Sequence, residues 1–154
     1  MTYSNTKMRE LMRPSDDKPE YLAMVDKQLD KLFKDLRYEN ECLFLSTHNG
    51  PADPSVAWDK TRFEADCNEI LINRLFPKKN VTAAFAVTFH SFFIDRLAFE
   101  YPYKFCAILS EDNGWWTFRF HIVRKDEKPW LGGDLEKFAQ PVMYDVFGGE
   151  DDRL

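Results

Sequence analysis

The chain has 154 residues, of which 44% are hydrophobic and 31% charged, with a formal net charge of −5. That is the length of one ordinary domain and a globular composition, which excludes a disordered chain and a miniprotein that depends on disulfides. No apolar run approaches the roughly 18 residues of a membrane helix, and no basic run exceeds Lys78-Lys79 or Arg124-Lys125, so neither a membrane nor a direct nucleic-acid partner is expected, although an acidic total leaves room for a local basic patch.

Residues 1–17 read as a short helix or loose arm interrupted by Pro14, with Ser15-Asp16-Asp17 as a turn or cap. This stretch lacks an apolar signal-peptide core, so cytoplasmic residence is expected and the sequon Asn80-Val81-Thr82 is a chance match. Asp17 and Glu20 have capping-box spacing, with Pro19 in the first turn of a helix over about 18–38. Leu22, Val25, Leu29, Leu32, Phe33 and Leu36 recur at steps of three and four, opposite a face of Asp and Lys. Cys42 to Leu45 reads as a short strand, followed by a turn at Asn49-Gly50-Pro51 and a Pro-containing loop to Trp58. Thr61, with Glu64 at capping-box spacing, predicts a second helix whose stripe is Phe63, Cys67, Ile70, Leu71 and Leu75, stopped by Pro77.

Residues 81–99 admit two readings. Phe85, Val87 and Phe89 alternate as in a strand, whereas Ala84, Val87, Ser91, Ile94 and Ala98 would line one helix face. The Val, Thr and Phe content favours a strand over 81–90. Tyr103 to Ser110 and Trp115 to Arg124 are strands joined at Asn113-Gly114, a hairpin signal. A polar loop, a short helix near Asp134–Phe138 and a strand over Val142–Phe147 complete the chain. The expected fold is α+β in a single domain, 1–154: two main helices packed against an antiparallel sheet of about four to five strands with a central hairpin. Residues 148–154 are expected to form a mobile acidic tail.

Chemistry-bearing motifs are sparse. The histidines His48, His90 and His121 show no HxH or HxxxH pair, and Cys42, Cys67 and Cys106 show no CxxC pair. Neither a metal nor a cofactor is expected. The cysteines read as reduced, buried thiols, with Cys67 in a helix and the others in strands. Gly132-Gly133 and Gly148-Gly149 lack phosphate-loop spacing, and no GxSxG elbow occurs. One alternative is an enzyme site assembled from His90, His121, Cys106 and distant carboxylates, with His90 expected to be half-buried; another is an adaptor or regulatory subunit.

The strand Trp115–Val123 is more informative, because alternate side chains face opposite ways. Trp116, Phe118, Phe120 and Ile122 form a wholly apolar set that must face the core. Trp115, Thr117, Arg119, His121 and Val123 form a mixed set, and Trp and Arg dominate binding hot spots. The candidate partner-binding residues are therefore Trp115, Arg119 and His121, with the loop acids Asp112, Asp126 and Asp134 beside them. Glu64, Asp66 and Glu69 on the second helix read either as a solvated face or as part of an acidic surface that meets a basic partner.

The segments Tyr101-Pro102-Tyr103, Asp112-Asn113-Gly114-Trp115-Trp116-Thr117-Phe118-Arg119-Phe120, Pro129-Trp130-Leu131, Asp134-Leu135-Glu136 and Gln140-Pro141-Val142 together resemble small bacterial immunity proteins of polymorphic and contact-dependent toxin systems. The resemblance covers about residues 100–147. It implies a cytoplasmic protein that binds one cognate toxin and blocks it by occlusion, without catalysis. An acidic inhibitor would suit a toxin with a basic substrate groove, such as a nuclease domain.

Overall fold

A computed structural model describes residues 1–12 and 19–149. The turn expected at Ser15-Asp16-Asp17 and the acidic tail beyond Gly149 lie outside them. The N-terminal arm is a strand, β1 (Thr2–Ser4), followed by a helix, α1 (Thr6–Leu11), capped by the Asn5 side chain. Asn5 is buried. It accepts from the Met8 and Val142 N–H groups and donates to the Leu135 and Gln140 carbonyls, so it fastens this arm to distant chain.

The helix α2 (Pro19–Asp35) buries Val25, Leu29, Leu32 and Phe33 of the predicted stripe but leaves Leu22 exposed. It ends earlier than expected. Leu36 belongs to β2 (Leu36–Glu39), which pairs with β3 (Cys42–Leu45) through a two-residue turn at Asn40 and Glu41. Both turn residues have positive φ, at 52° and 61°, the conformation a tight hairpin turn requires. The loop after β3 is held by Asp35, which accepts from Ser46 and Thr47 hydroxyls and from the Thr47 and His48 N–H groups.

The expected second helix is three pieces: α3 (Lys60–Cys67), β4 (Ile70–Leu71) and α4 (Ile72–Leu75). Its cap is Asp59, which accepts from the Arg62 N–H, rather than Thr61. The helix breaks at Asn68, whose buried side chain accepts from Leu45 N–H and donates to the Leu43 and Phe120 carbonyls. Residues 83–100 form the second main helix, α5 (Ala83–Glu100), and the strand expected over 81–90 is absent. Thr82 caps α5 by accepting from Phe85 N–H. Phe85, Ala86, Phe89, His90, Phe93 and Leu97 face inward at helical spacing. The wholly apolar face of the sheet demands a broad apolar cover, and a helix rich in Phe supplies one where a strand would turn half its side chains away.

The strands β5 (Lys104–Asp112) and β6 (Trp115–Ile122) form the predicted hairpin, with Asn113 and Gly114 at positive φ. The last strand, β7 (Val142–Gly148), takes in Gly148, one residue more than the sequence predicts. The fold is α+β, with one five-stranded antiparallel sheet in the order β1-β7-β5-β6-β4 and a separate β2-β3 hairpin. On the core face, Phe93 packs on Phe118 and Phe120 with ring centres 4.6 and 5.2 Å apart, and Phe33 of α2 packs on Phe93 at 4.9 Å. The expected inward set Trp116, Phe118, Phe120 and Ile122 is buried on this face. The other face is crossed by the connection 123–141, where Leu131, Leu135 and Phe138 close over Cys106, Ile108 and Val142. Among the described residues, no helix is long and apolar enough to cross a membrane.

Candidate functional site

The mixed set of β6 side chains lies on the loop-covered face, and part of it opens into a cavity. Pairing of β5 with β6 sets Asp112 opposite Trp115, Ser110 opposite Thr117 and Ile108 opposite Arg119. These six residues, with Glu69 from the α3–β4 link and Trp130, Leu131, Phe138 and Gln140 from the crossing connection, line a cavity of about 270 Å³. Trp115 stands at its mouth and is 54% exposed. The sheet thus gathers four of the predicted contact residues, Trp115, Arg119, Asp112 and Glu69, into one site.

The guanidinium of Arg119 is already committed. It donates to the Ala65 carbonyl at 3.1 Å, pairs with Glu69 at 3.2 Å and lies over the Trp130 ring, 4.1 Å from its centre. A guanidinium so stacked and forked is a wall of the cavity rather than a free anchor. Asp112, in contrast, is exposed at the hairpin end, with no hydrogen-bond or ion-pair partner among the described residues.

His121 and Glu64 require correction. His121 is buried, not part of an open contact surface. Its Nδ1–H donates to the Ile122 carbonyl, and its Nε2 accepts from the Trp130 N–H. Burial holds its pKa below the ordinary value, so the ring is a neutral post under the crossing connection. Glu64 is fully buried rather than part of a solvated helix face, because the chain supplies donors for it. It accepts from Leu43 N–H at 2.6 Å, Ile122 N–H at 2.9 Å and Arg124 Nη1 at 2.6 Å. Burial raises its pKa against those donors, which pull the other way.

The remaining acids are scattered. Asp66 is exposed and meets Arg62 one turn away on α3, and Glu69 lies just past the end of that helix. Asp126 is exposed in the crossing connection. Asp134 caps a 3-10 turn, Leu135–Lys137, by accepting from Glu136 N–H.

The groups of the assembled-enzyme alternative do not converge. His90 sits on the core face, where its Nε2 meets Asp145 at 2.8 Å, whereas Cys106 and His121 are cross-strand partners on the opposite face. His90 is buried rather than half-buried. Burial pushes the Cys106 thiol up to about 12, far from the thiolate a nucleophile needs. The thiols of Cys42 and Cys67 are raised by burial as well, and all three cysteines are unpaired. Cys67, expected as a buried helical thiol, is only half-buried and is the last residue of its helix. Among the described residues, no group of three or more His, Cys, Asp or Glu side chains could hold a metal ion.

Trp58 was missed as a contact candidate. It is 97% exposed, beside Val56 at 75%. Its loop is nevertheless well fastened: Asn40 donates to the Pro54 carbonyl, Asp53 caps the turn Pro54–Val56, and Glu127 accepts from the N–H groups of Lys60 and Thr61. Trp58 therefore stands at one end of α3 and the cavity at the other.

Fold and site together define an α+β protein with an aromatic-walled cavity beside the tip of its central hairpin. The chain belongs to the uncharacterized protein PM0498 family, which it matches over residues 3–148. No curated protein and no solved structure matches it.

Proposed function

We propose that the chain is a non-catalytic, protein-binding inhibitor of the immunity type, which works in the cytoplasm and neutralises a cognate toxin by covering its active site. The observation that carries this reading is the pairing of a half-exposed Trp115 with a partnerless Asp112 at the mouth of a cavity. Exposed indoles on fastened backbone are typical anchors of protein interfaces, because little side-chain entropy is lost when they are covered. Trp58 supplies a second such indole, and the exposed Asp66 and Glu69 lie along or just beyond α3, between it and the cavity. The net charge of −5 would speed encounter with a basic partner.

The test is co-expression with the product of the neighbouring gene. The expected result is a stable complex on size exclusion and protection of cells that express the neighbour alone at a toxic level. Absence of both a complex and protection would overturn the reading.

A further inference from the structure

The cavity beside Trp115 has a definite chemistry. Of the charged groups that line it, Glu69 and Arg119 neutralise each other in an ion pair at 3.2 Å. Asp112 remains as the unpaired charge in the lining. It is the cross-strand neighbour of Trp115 on the same face, which puts their Cβ atoms about 5 Å apart. No ring or cation occupies the faces of Trp115 among the described residues. The hydroxyls of Ser110 and Thr117, also cross-strand neighbours, make no hydrogen bond among the described residues and lie in the same lining. A carboxylate, an open indole face and hydroxyl acceptors are the complement of a planar cation with an apolar stem. At about 270 Å³ the space falls below the roughly 300–1,000 Å³ of small-molecule sites and suits a single side chain. The chain itself displays the matching chemistry two cross-strand pairs along the same face, where Arg119 stacks on Trp130 and pairs with Glu69.

We propose that this cavity receives an arginine side chain of the protein partner, its guanidinium held between the Trp115 indole and the Asp112 carboxylate, with Ser110 and Thr117 accepting its remaining N–H groups. Lysine fits less well, because a compact ammonium cannot stack and fork at once. The proposal rests on the protein-binding reading and names the chemistry of the anchor that enters.

The test uses the isotope-labelled full chain, in which the four tryptophans of the sequence give four indole N–H signals. N-acetyl-arginine-amide is titrated to roughly 0.1 M, enough to saturate a site with a Kd near 10 mM. The signals of Trp115 and Trp130 should move, while those of Trp58 and of the buried Trp116 stay in place. N-acetyl-citrulline-amide, which keeps the shape without the charge, should bind at least tenfold more weakly. Asp112→Asn should weaken binding of the arginine probe by a similar factor, with unmoved Trp58 and Trp116 signals reporting an intact fold. No movement of the Trp115 and Trp130 signals, an equal response to citrulline, or a stronger response to N-acetyl-glutamate-amide would each overturn the proposal. Binding of the arginine probe without a complex with the neighbouring gene product would remove the immunity reading and leave the arginine pocket. A complex indifferent to Trp115→Ala and Asp112→Asn would do the reverse.

Discussion

Arg119 lies over the indole of Trp130, 4.1 Å from its ring centre, so a strand residue and a residue of the crossing connection hold each other in place. The same guanidinium reaches Ala65 and Glu69 and thereby joins β6, the end of α3 and residues 123–141. Arg119→Ala should therefore destabilise the fold by about 1–3 kcal/mol, the usual cost of stranding hydrogen-bonded groups, rather than merely trim a contact surface. Arg119→Lys should fall between the two, because it keeps a charge for Glu69 but loses the stack. Urea midpoints of the three proteins check the order.

Phe118 is fully buried against Phe89, Phe93 and Phe120, whereas Trp115 is half-exposed. Phe118→Ala should cost about 3–5 kcal/mol. Trp115→Ala should cost about 1 kcal/mol or less. Denaturant melts that ranked them the other way would mean that β6 presents its opposite face to the core.

Glu64→Ala should rank among the most damaging single changes, at about 3–5 kcal/mol, because it leaves a largely buried Arg124 and two backbone N–H groups without their acceptor. Glu64→Gln keeps an acceptor and should cost less. Thermal unfolding of the pair of variants separates the loss of charge from the loss of shape.

Stability should decline with acid in two stages. Burial holds the His121 pKa below its ordinary 6.5, so the unfolded chain takes up a proton that the native state refuses, and stability falls as pH drops below about 6.5. Burial pushes Asp35, Glu127 and Asp145 upward, but their hydrogen bonds prevail and hold all three below ordinary values. What they contribute is present above the unfolded carboxyl range, about pH 4, and is lost as pH falls through their lower native values. His48, whose pKa burial also lowers, shares the first stage, so His121→Asn should shrink that stage and leave the second. Urea midpoints from pH 8 to pH 3 provide the measurement.

Association with a basic partner should slow as salt rises, because exposed acids act at long range and are screened. Reversing Asp112 and Asp126 together should lower the on-rate while leaving the melting temperature nearly unchanged, since neither side chain holds a structural bond among the described residues. Asp134 is a poorer choice, because its carboxylate caps a turn. Binding kinetics against the neighbouring gene product at two ionic strengths decide the matter. Salt-independent association would remove the electrostatic mechanism.

Local signals were readable in the sequence and long-range ones were not. Asn113-Gly114 marked the hairpin, and strict alternation sorted Trp116, Phe118, Phe120 and Ile122 from Trp115 and Arg119. In α5 two periods are superposed, since Phe85, Val87 and Phe89 alternate while Phe85, Phe89, Phe93 and Leu97 step by four, and only the sheet beneath selects the second. The helix break at Asn68 is set by partners 23 to 52 positions away, and the burial of Glu64 by an arginine 60 positions away. Neither distance leaves a trace in local spacing. Half of the cavity was visible as the outward set of β6, but Trp130 and Phe138, which also line it, come from the connection 123–141, where no regular alternation marks which side chains turn toward the sheet.

The outer edge of β6 carries its own consequence. Beyond the two-residue partner β4, its backbone is met by side chains: Asn73 takes the Trp116 N–H, Asn68 the Phe120 carbonyl and Glu64 the Ile122 N–H. A sheet margin finished in this way offers no free row of donors and acceptors to an incoming chain. Growth of the sheet by strand addition is thereby blocked on this side, whether by another copy during expression at high concentration or by an extended peptide. A partner that met β6 would then have to use side chains on the face of the sheet, and loss of Asn68 or Asn73 would leave β6 backbone groups unpaired at this margin, where another strand could add.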